Sequence, residues 1–121
     1  MIYIDKKSVL DALSLRHQHF AKMVMMSFML WLISKKPRHG YEIIGILNKE
    51  VCYGQVGAGH VYPILQELAQ EGLIKAKEVA HGKRLRKHYT ITASGEKRLL
   101  DIKKAFFASG MRTQFMKEMI G

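Results

Sequence analysis

The spacing of the apolar residues changes at Gly72, and this change limits what the chain can fold into. Upstream of it, residues 60–70 repeat their apolar side chains at helical spacing, at Val61, Ile64, Leu65 and Leu68. Gly72 itself stands where a glycine commonly ends a helix. Downstream, residues 73–79 and 88–92 alternate with the period of two that is typical of strands, and residues 81–84 supply a turn. The pattern therefore predicts a helix followed by a β-hairpin.

The first third of the chain also carries helical patterns. A short helix is predicted to begin with Ser8 as its cap and to run towards Phe20. A second helix is predicted over about residues 21–34. It should be buried on nearly all sides, because the apolar run from Met23 to Ile33 is interrupted only by Ser27. This run is shorter than the ~20 residues that cross a bilayer, so no membrane association is expected.

The middle and the end of the chain complete the order of elements. A helix is predicted over about residues 39–49, and a glycine-rich break at residues 54–59 separates it from the helix before the hairpin. After the hairpin, Thr92 or Ser94 begins a long helix that is rich in apolar residues, and Gly110 is a point where it could bend or break. Helix, helix, turn, helix and hairpin follow one another in the order of a winged helix.

The fold class expected is therefore mainly α (α+β), a winged helix-turn-helix with a two-stranded wing and N- and C-terminal dimerisation helices. We expect one domain over residues 1–121, since single domains commonly have this length. Residues 1–20 form an N-terminal helical extension, residues 21–92 the winged helix-turn-helix core, and residues 93–121 a C-terminal dimerisation helix.

The charge of the chain points to a polyanionic partner. Lys and Arg number 20 against 10 Asp and Glu, which gives a net charge of +10. Residues 75–104 alone hold ten Lys and Arg and three Asp and Glu. Nucleic acid, an acidic membrane surface and an acidic protein would all be attracted by such an excess. Net charge alone does not choose among them.

Other functional classes are poorly supported. The chain has one cysteine, Cys52, which excludes an intrachain disulfide, and the N-terminus has no signal-peptide pattern, so we expect a cytoplasmic protein. Cys52 is either an ordinary thiol or a redox sensor in the loop before residue 60. No metal-ligand spacing, phosphate loop, nucleophile elbow or paired-carboxylate pattern occurs, so no metal, no cofactor and no enzymatic activity are expected.

The expected contacts to double-stranded DNA lie on the helix at 60–71 and on the hairpin. The second helix of a helix-turn-helix enters the major groove with its N-terminal residues, and basic residues of a wing bind phosphates or the adjacent minor groove. Tyr62 could instead belong to the core, His60 could simply begin the helix, and the wing charges could form a solvated turn. The candidate DNA-binding residues are Arg38, His39, Gly59, His60, Tyr62, Gln66, Lys83, Arg84, Arg86 and Lys87.

The last helix has more apolar surface than one small domain can bury, and such a surface usually marks an association site. A homodimer explains it, because two recognition helices then read two half-sites. Trp31 is interpreted as core or dimer interface rather than a ligand-stacking platform, and the eight methionines as gap fillers or as a ligand-adaptable pocket. The candidate dimer-interface residues are Trp31, Leu99, Ile102, Phe106, Phe107, Met111 and Phe115.

Three segments resemble the PadR family of transcriptional regulators, in its smaller subfamily: residues 32–43, with Arg38-His39-Gly40-Tyr41-Glu42, residues 61–74, with Val61-Tyr62-Pro63-Ile64-Leu65, and residues 86–95, from Arg86 to Gly95. The resemblance covers about residues 24–100. It implies a winged helix-turn-helix whose C-terminal helix packs with a partner's N-terminal helix. It also implies repression, in some members relieved by a small aromatic or cationic effector. The chain departs from the family at Gly57, His60 and Leu85, where serine, threonine and proline are usual.

These features lead to one functional hypothesis with two alternatives. The first is a sequence-specific transcriptional regulator, most simply a repressor that binds a pseudo-palindromic operator as a homodimer. The alternatives are a sequence-independent architectural nucleic-acid binder and a winged-helix protein-interaction module. Specificity separates them, because a regulator typically prefers its site by ~10³-fold or more over random DNA.

Overall fold

The computed structural model describes residues 6–51 and 56–120. Helix α1 spans Lys6–Lys35 without interruption. The expected division near residue 20 is therefore wrong, because no glycine or proline breaks the pattern there, and Ser8 lies inside α1 rather than at its cap. The helix ends before Pro37, as predicted, since proline disfavours helical geometry in the residue that precedes it.

Burial along α1 is uneven. Its C-terminal half supplies core residues, among them Met29, Leu30 and Ile33. Met23 and Val24 are more than half exposed, so the prediction of a helix buried on nearly all sides is wrong for this chain on its own. The apolar run of α1 serves the core on one side and presents an apolar surface on the other.

The two helices of the helix-turn-helix follow a very short strand. Strand β1 (Arg38–His39) leads directly into helix α2 (Gly40–Ile46), which continues as a π-helical turn (Leu47–Val51). Helix α3 (Ala58–Gln70) begins two residues earlier than predicted, so Pro63 lies in its second turn rather than its first. The Asn48 side chain joins the two helices, because its amide donates to the Val56 carbonyl (2.7 Å) and its carbonyl accepts from the Val56 N–H (2.8 Å).

The wing is a hairpin of β2 (Ile74–His81) and β3 (Arg84–Ile91), which pair in antiparallel register with His81 opposite Arg84. Gly82 and Lys83 alone connect them, and Gly82 has φ of +62°, as tight hairpin turns require at their first central residue. Strand β1 pairs with β3, so the sheet has three strands in the order β1-β3-β2. The wing is thus two-stranded, as predicted. Strand β1 adds a third strand that was not predicted, because a two-residue strand has no recognisable periodicity.

The C-terminal region contains two helices rather than one dimerisation helix over residues 93–121. Thr92 caps helix α4 (Ala93–Phe106), as predicted, and helix α5 spans Gly110–Ile120. The break precedes Gly110 and has its own hydrogen bonds. The Ser109 hydroxyl accepts from the Arg112 N–H (3.5 Å), and the Arg112 guanidinium donates to the Ala105 carbonyl (3.0 Å). These bonds end α4 and begin α5.

One apolar core joins the helix-turn-helix to the wing. Leu65 and Leu68 of α3 pack with residues of α1, α2 and the sheet, and Tyr89 of β3 is buried among them. The fully buried side chains are Met29, Leu30, Ile33, Ile43, Leu47, Val61, Leu65 and Leu68. Within residues 6–51 and 56–120, no helix is long and apolar enough to cross a membrane.

Candidate nucleic-acid interface

Helix α3 has two distinct faces. Val61, Leu65 and Leu68 point into the core, whereas Gly59, Tyr62 and Gln66 are exposed. Residues at i, i+3 and i+7 share one side of a helix, so the second group forms a continuous outward face that begins in the first turn of α3. This is the arrangement that a helix needs in order to present its N-terminal residues to a groove.

The beginning of α3 is only partly capped. Gly57 stands at the N-cap and has no side chain, so the usual acceptor for the free N–H groups of the first turn is missing. The exposed side chain of His60 supplies the reverse contact, because its Nδ1 accepts from the Gly57 N–H at 3.5 Å. The first turn therefore leaves backbone donors available to an external anion, which suits a helix that meets phosphates.

Tyr62 packs against the backbone where β1 passes into α2. A Cβ atom placed on Gly40 would lie 2.5 Å from the Tyr62 hydroxyl oxygen and 2.6 Å from its ring carbons, so only glycine leaves room for the ring. The side chain is nevertheless 37% exposed, as expected for a residue outside the core. Burial raises the pKa of Tyr89, and Tyr62 adds to the effect. Tyr62 thus connects α3, the start of α2 and the sheet.

Arg38 has an internal role in this structure. Its Nε donates to the Leu32 carbonyl (3.0 Å), and its Nη1 donates to Glu42 Oε2 (2.7 Å). The side chain is only 13% exposed. It therefore ties the end of α1 to the first turn of α2, and a phosphate contact by Arg38 stays a prediction.

His39 caps α2. Its Nδ1 accepts from the Glu42 N–H (3.2 Å), which leaves Nε2 to carry the proton in the neutral ring. Burial lowers the pKa of His39, and Arg86, His88 and His81 lower it further. The Glu42 carboxylate has the opposite effect and raises this pKa. The ring is therefore neutral at pH 7 and can donate a hydrogen bond without carrying a charge.

The four cations predicted for the wing are all exposed. Lys83 lies in the turn, Arg84 and Arg86 share one face of β3 by the alternation of a strand, and Lys87 lies on the other face. No ion pair among the described residues involves any of these four cations. The wing therefore presents unneutralised positive charge.

A cleft of about 350 Å³ lies between the wing and the helix-turn-helix. Five of the ten predicted DNA-binding residues line it, namely His39, Tyr62, Arg84, Arg86 and Lys87. Gly59 and Gln66 share the exposed face of α3 with Tyr62, and His60 is exposed in the first turn of the same helix. Lys83 lies at the wing tip. Gly40, Tyr41 and Leu85 also line the cleft and were not predicted. No sequence pattern marks these three residues, because their place in the cleft depends on the short strand β1.

The predicted dimer-interface residues divide into two groups. Trp31, Phe106, Phe107, Met111 and Phe115 are exposed in the single chain, by 42–83%. Leu99 and Ile102 are partly buried, and Leu99 packs against the core. Phe20, Met23 and Val24 of α1 are exposed as well and were missed. Met23 and Val24 had been assigned to a helix buried on nearly all sides, and Phe20 to the end of the helix before it. Apolar surface thus lies on both the N-terminal and the C-terminal helices.

Residues 29–101 match the model of the PadR-like transcriptional regulator family. The chain belongs to this family. The match begins in the buried half of α1 and ends in α4, so it covers the helix-turn-helix, the cleft and the wing. A comparison with curated protein sequences gave no significant match.

Solved structures of PadR-like proteins share the fold. A PadR-like regulator from Bacillus cereus is 29% identical, with a TM-score of 0.67 over 84% of this chain and 96% of that one. A PadR-like factor from Bacteroides fragilis is 24% identical, with a TM-score of 0.66 over 87% and 97%. PadR of Bacillus subtilis, solved in complex with operator DNA, is 34% identical, with a TM-score of 0.55 over 64% of this chain and 46% of PadR.

Proposed function

We propose that this PadR-like regulator binds a specific double-stranded DNA site as a homodimer in the cytoplasm and represses transcription there. The observation that carries the proposal is the cleft, where Tyr62 of α3 and the wing residues Arg84 and Arg86 lie together. A helix face for the major groove and cations for the flanking backbone are thus held side by side, as a winged helix-turn-helix requires. The operator complex of the Bacillus subtilis relative supports DNA as the partner.

Each part of the interface has a separate task. The α3 face of Gly59, Tyr62 and Gln66 discriminates bases, since glutamine can form two hydrogen bonds to adenine and Gly59 allows close approach. Arg84 and Arg86 bind phosphates or enter the minor groove. Base contacts provide specificity, whereas phosphate contacts provide affinity that depends on salt.

The exposed apolar residues of α1, α4 and α5 supply the dimer interface. Phe115, Met111 and Met23 are each more than half exposed in the single chain, and large exposed apolar surface usually marks association. Two-fold symmetry then places two α3 helices on a pseudo-palindromic operator, and occupancy of that operator excludes polymerase. A small aromatic or cationic effector would act through this interface, where Met23, Met26 and Phe106 line an apolar pocket.

Fluorescence anisotropy tests the proposal. The protein is titrated against DNA from upstream of its own gene and against a scrambled duplex, at low and physiological salt. The Arg84→Ala/Arg86→Ala variant should lose most of the affinity, whereas Lys97→Ala/Lys104→Ala, which removes the same charge from exposed positions of α4, should not. Light scattering checks that both variants remain dimeric.

The outcomes separate the hypotheses. Preference for the upstream duplex that survives physiological salt supports a specific regulator. Equal binding of both duplexes that disappears with salt indicates an architectural binder, and no binding to either duplex at physiological salt indicates a protein-interaction module. Equal losses in the two variants would show that net charge, not the wing, provides the affinity.

A further inference from the structure

The sheet has two chemically different faces. Directly opposed residues of antiparallel strands share a face, so the register assigns every side chain. The inner face includes Ile74 and Tyr89, which are buried in the core. We call the other side the outer sheet face; its residues are His39, Lys75, Lys77, Val79, His81, Arg84, Arg86, His88 and Thr90.

The outer sheet face carries no acidic residue. Two of its four cross-strand pairs between β2 and β3, Lys77 with His88 and His81 with Arg84, place a histidine opposite a cation, and the other two are Lys75 with Thr90 and Val79 with Arg86. Surface pairs in a hairpin usually stabilise it by opposite charge, and like charges directly opposite one another destabilise it. The single acid of the hairpin, Glu78, lies on the inner side opposite Lys87. No acid on this face offsets the cations, so protonation of either histidine would place like charges opposite one another, and a polyanion that covers the face would remove this cost.

The outer sheet face is continuous with the DNA cleft. Arg84, Arg86 and His39 belong to the face and also line the cleft. Rows of side chains on one face of a strand recur every ~6.7 Å, so the three rows from the turn to the Lys77–His88 pair extend over ~13 Å. A DNA backbone that meets Arg84 and Arg86 can therefore continue along the face towards Lys77 and His88.

We propose that the outer sheet face binds the DNA backbone, with Lys77, His81 and His88 as phosphate contacts, and that His81 and His88 take up protons when it does so. The inference deepens the proposed function and rests on it. It extends the contact from the wing tip to the foot of the wing, where β3 meets β1.

Proton uptake follows from the neighbours of the two histidines. Lys77 lies opposite His88, and Arg86 lies two residues before His88 on the same face. His39 of β1 is also a neighbour of His88, with the two ring centroids 5.6 Å apart. His81 lies opposite Arg84, next to the turn that carries Lys83. A phosphate that enters between an imidazole and such a cation stabilises the protonated ring. DNA binding and protonation therefore strengthen each other, and affinity rises as pH falls.

His39 does not share this behaviour, although it lies on the same face. Its Nδ1 accepts the Glu42 N–H, and protonation of that nitrogen would remove the cap of α2. Glu42 Oε1 also lies 3.9 Å from the His39 Nε2. His39 thus contributes a neutral donor, and its replacement should leave proton uptake unchanged.

The experiment measures the dissociation constant of the dimer for the preferred duplex, or for a random duplex if none is preferred, between about pH 8 and about pH 6 at constant ionic strength. Wild-type affinity should rise about tenfold or more as pH falls, because two histidines per protomer take part. His81→Gln/His88→Gln should reduce this change to about twofold. His19→Gln, at an exposed position of α1, and His39→Asn, which retains a cap acceptor, should keep the full change.

The salt dependence gives a second readout. Lys77→Gln should lower the slope of log K against log salt by about 1.8 for the dimer, or about 0.9 per lost phosphate contact. The proposal is overturned if wild-type affinity is independent of pH, or if the double histidine variant responds as the wild type does. If binding is linked to proton uptake but shows no preference between duplexes, the role of the outer sheet face is supported and specific regulation is refuted. No binding to any duplex would refute both.

Discussion

Gly95 is the position where α4 passes closest to the wing, and its replacement by alanine tests this contact. A Cβ atom there would collide with the Leu73 carbonyl oxygen and lie 2.6 Å from Ile91 Cγ1. The carbonyl cannot easily move, because it also accepts the Thr92 N–H at 3.1 Å. Overpacking of this kind costs about 3 kcal/mol when backbone is involved, and alanine regains about 1 kcal/mol of helix propensity. Gly95→Ala should therefore lower the free energy of unfolding by about 2 kcal/mol.

Gly110→Ala is the matched control. Gly110 begins α5, and no atom lies within 4 Å of its hypothetical Cβ. The same substitution should raise the free energy of unfolding there by about 0.5 kcal/mol, through the entropy of the unfolded chain. Urea unfolding followed by circular dichroism, at one protein concentration because a dimer is expected, separates the variants by about 1 M in midpoint. A Gly95→Ala protein as stable as Gly110→Ala would refute the close contact.

Three further predictions concern the site and its supports. Gly40→Ala displaces the end of the Tyr62 ring, so anisotropy should show weaker operator binding. The free energy of unfolding should change by less than about 1 kcal/mol. Unchanged affinity would contradict the role of Tyr62. Thr92→Ala removes a cap and the 2.6 Å hydrogen bond to the Gly72 carbonyl, and should lower the free energy of unfolding by about 1–2 kcal/mol in thermal melts, whereas Thr92→Ser should retain most of it. Because the pKa of His39 is lowered, the unfolded chain binds the proton more readily, so the free energy of unfolding should decrease as pH falls below about 6.5. His39→Asn should weaken that decrease in urea titrations across this range; an identical pH profile would contradict it.

The recognition helix and the hairpin could be predicted because their patterns are dense and local. Val61, Leu65 and Leu68 recur at helical spacing, and all three are buried as expected. The change of period at Gly72 marks the start of the wing, and its φ of +75° is the conformation that glycine adopts readily. The boundary of α3 was less accurate, because Gly57 caps the helix through its backbone and gives no side-chain signal.

Other elements depend on contacts that no local pattern records. Strand β1 has two residues and exists because β3 offers it an unpaired edge. The break between α4 and α5 lies next to Gly110, where the sequence indicated one, but its hydrogen bonds, from the Ser109 cap and from Arg112 to the Ala105 carbonyl, have no local pattern. The burial of Arg38 likewise results from a distant carbonyl, that of Leu32, and charge alone suggested exposure.

The outer sheet face shows most clearly why site prediction was incomplete. The basic residues of the wing were visible in the sequence, but their grouping depends on strand register, and a shift of one residue would move every side chain to the other face. In the observed register, Lys77 and His88 join Arg86, while Lys87 points the other way. The prediction centred on the wing tip therefore omitted Lys77, while Lys87, which also lines the cleft, stays a prediction.

The junction of β1 and α2 makes the helix-turn-helix and the wing one interface rather than two. His39 pairs with β3 as a strand residue and caps α2 as a side chain, while the next residue, Gly40, supports the Tyr62 ring of α3. The distance between α3 and the wing is thus fixed by hydrogen bonds and packing, not by a free hinge. If the wing binds the DNA backbone as proposed, phosphate binding also determines which bases α3 can reach. In the proposed complex, His39, Gly40 and Tyr62 would then couple the base contacts of α3 to the phosphate contacts of the wing.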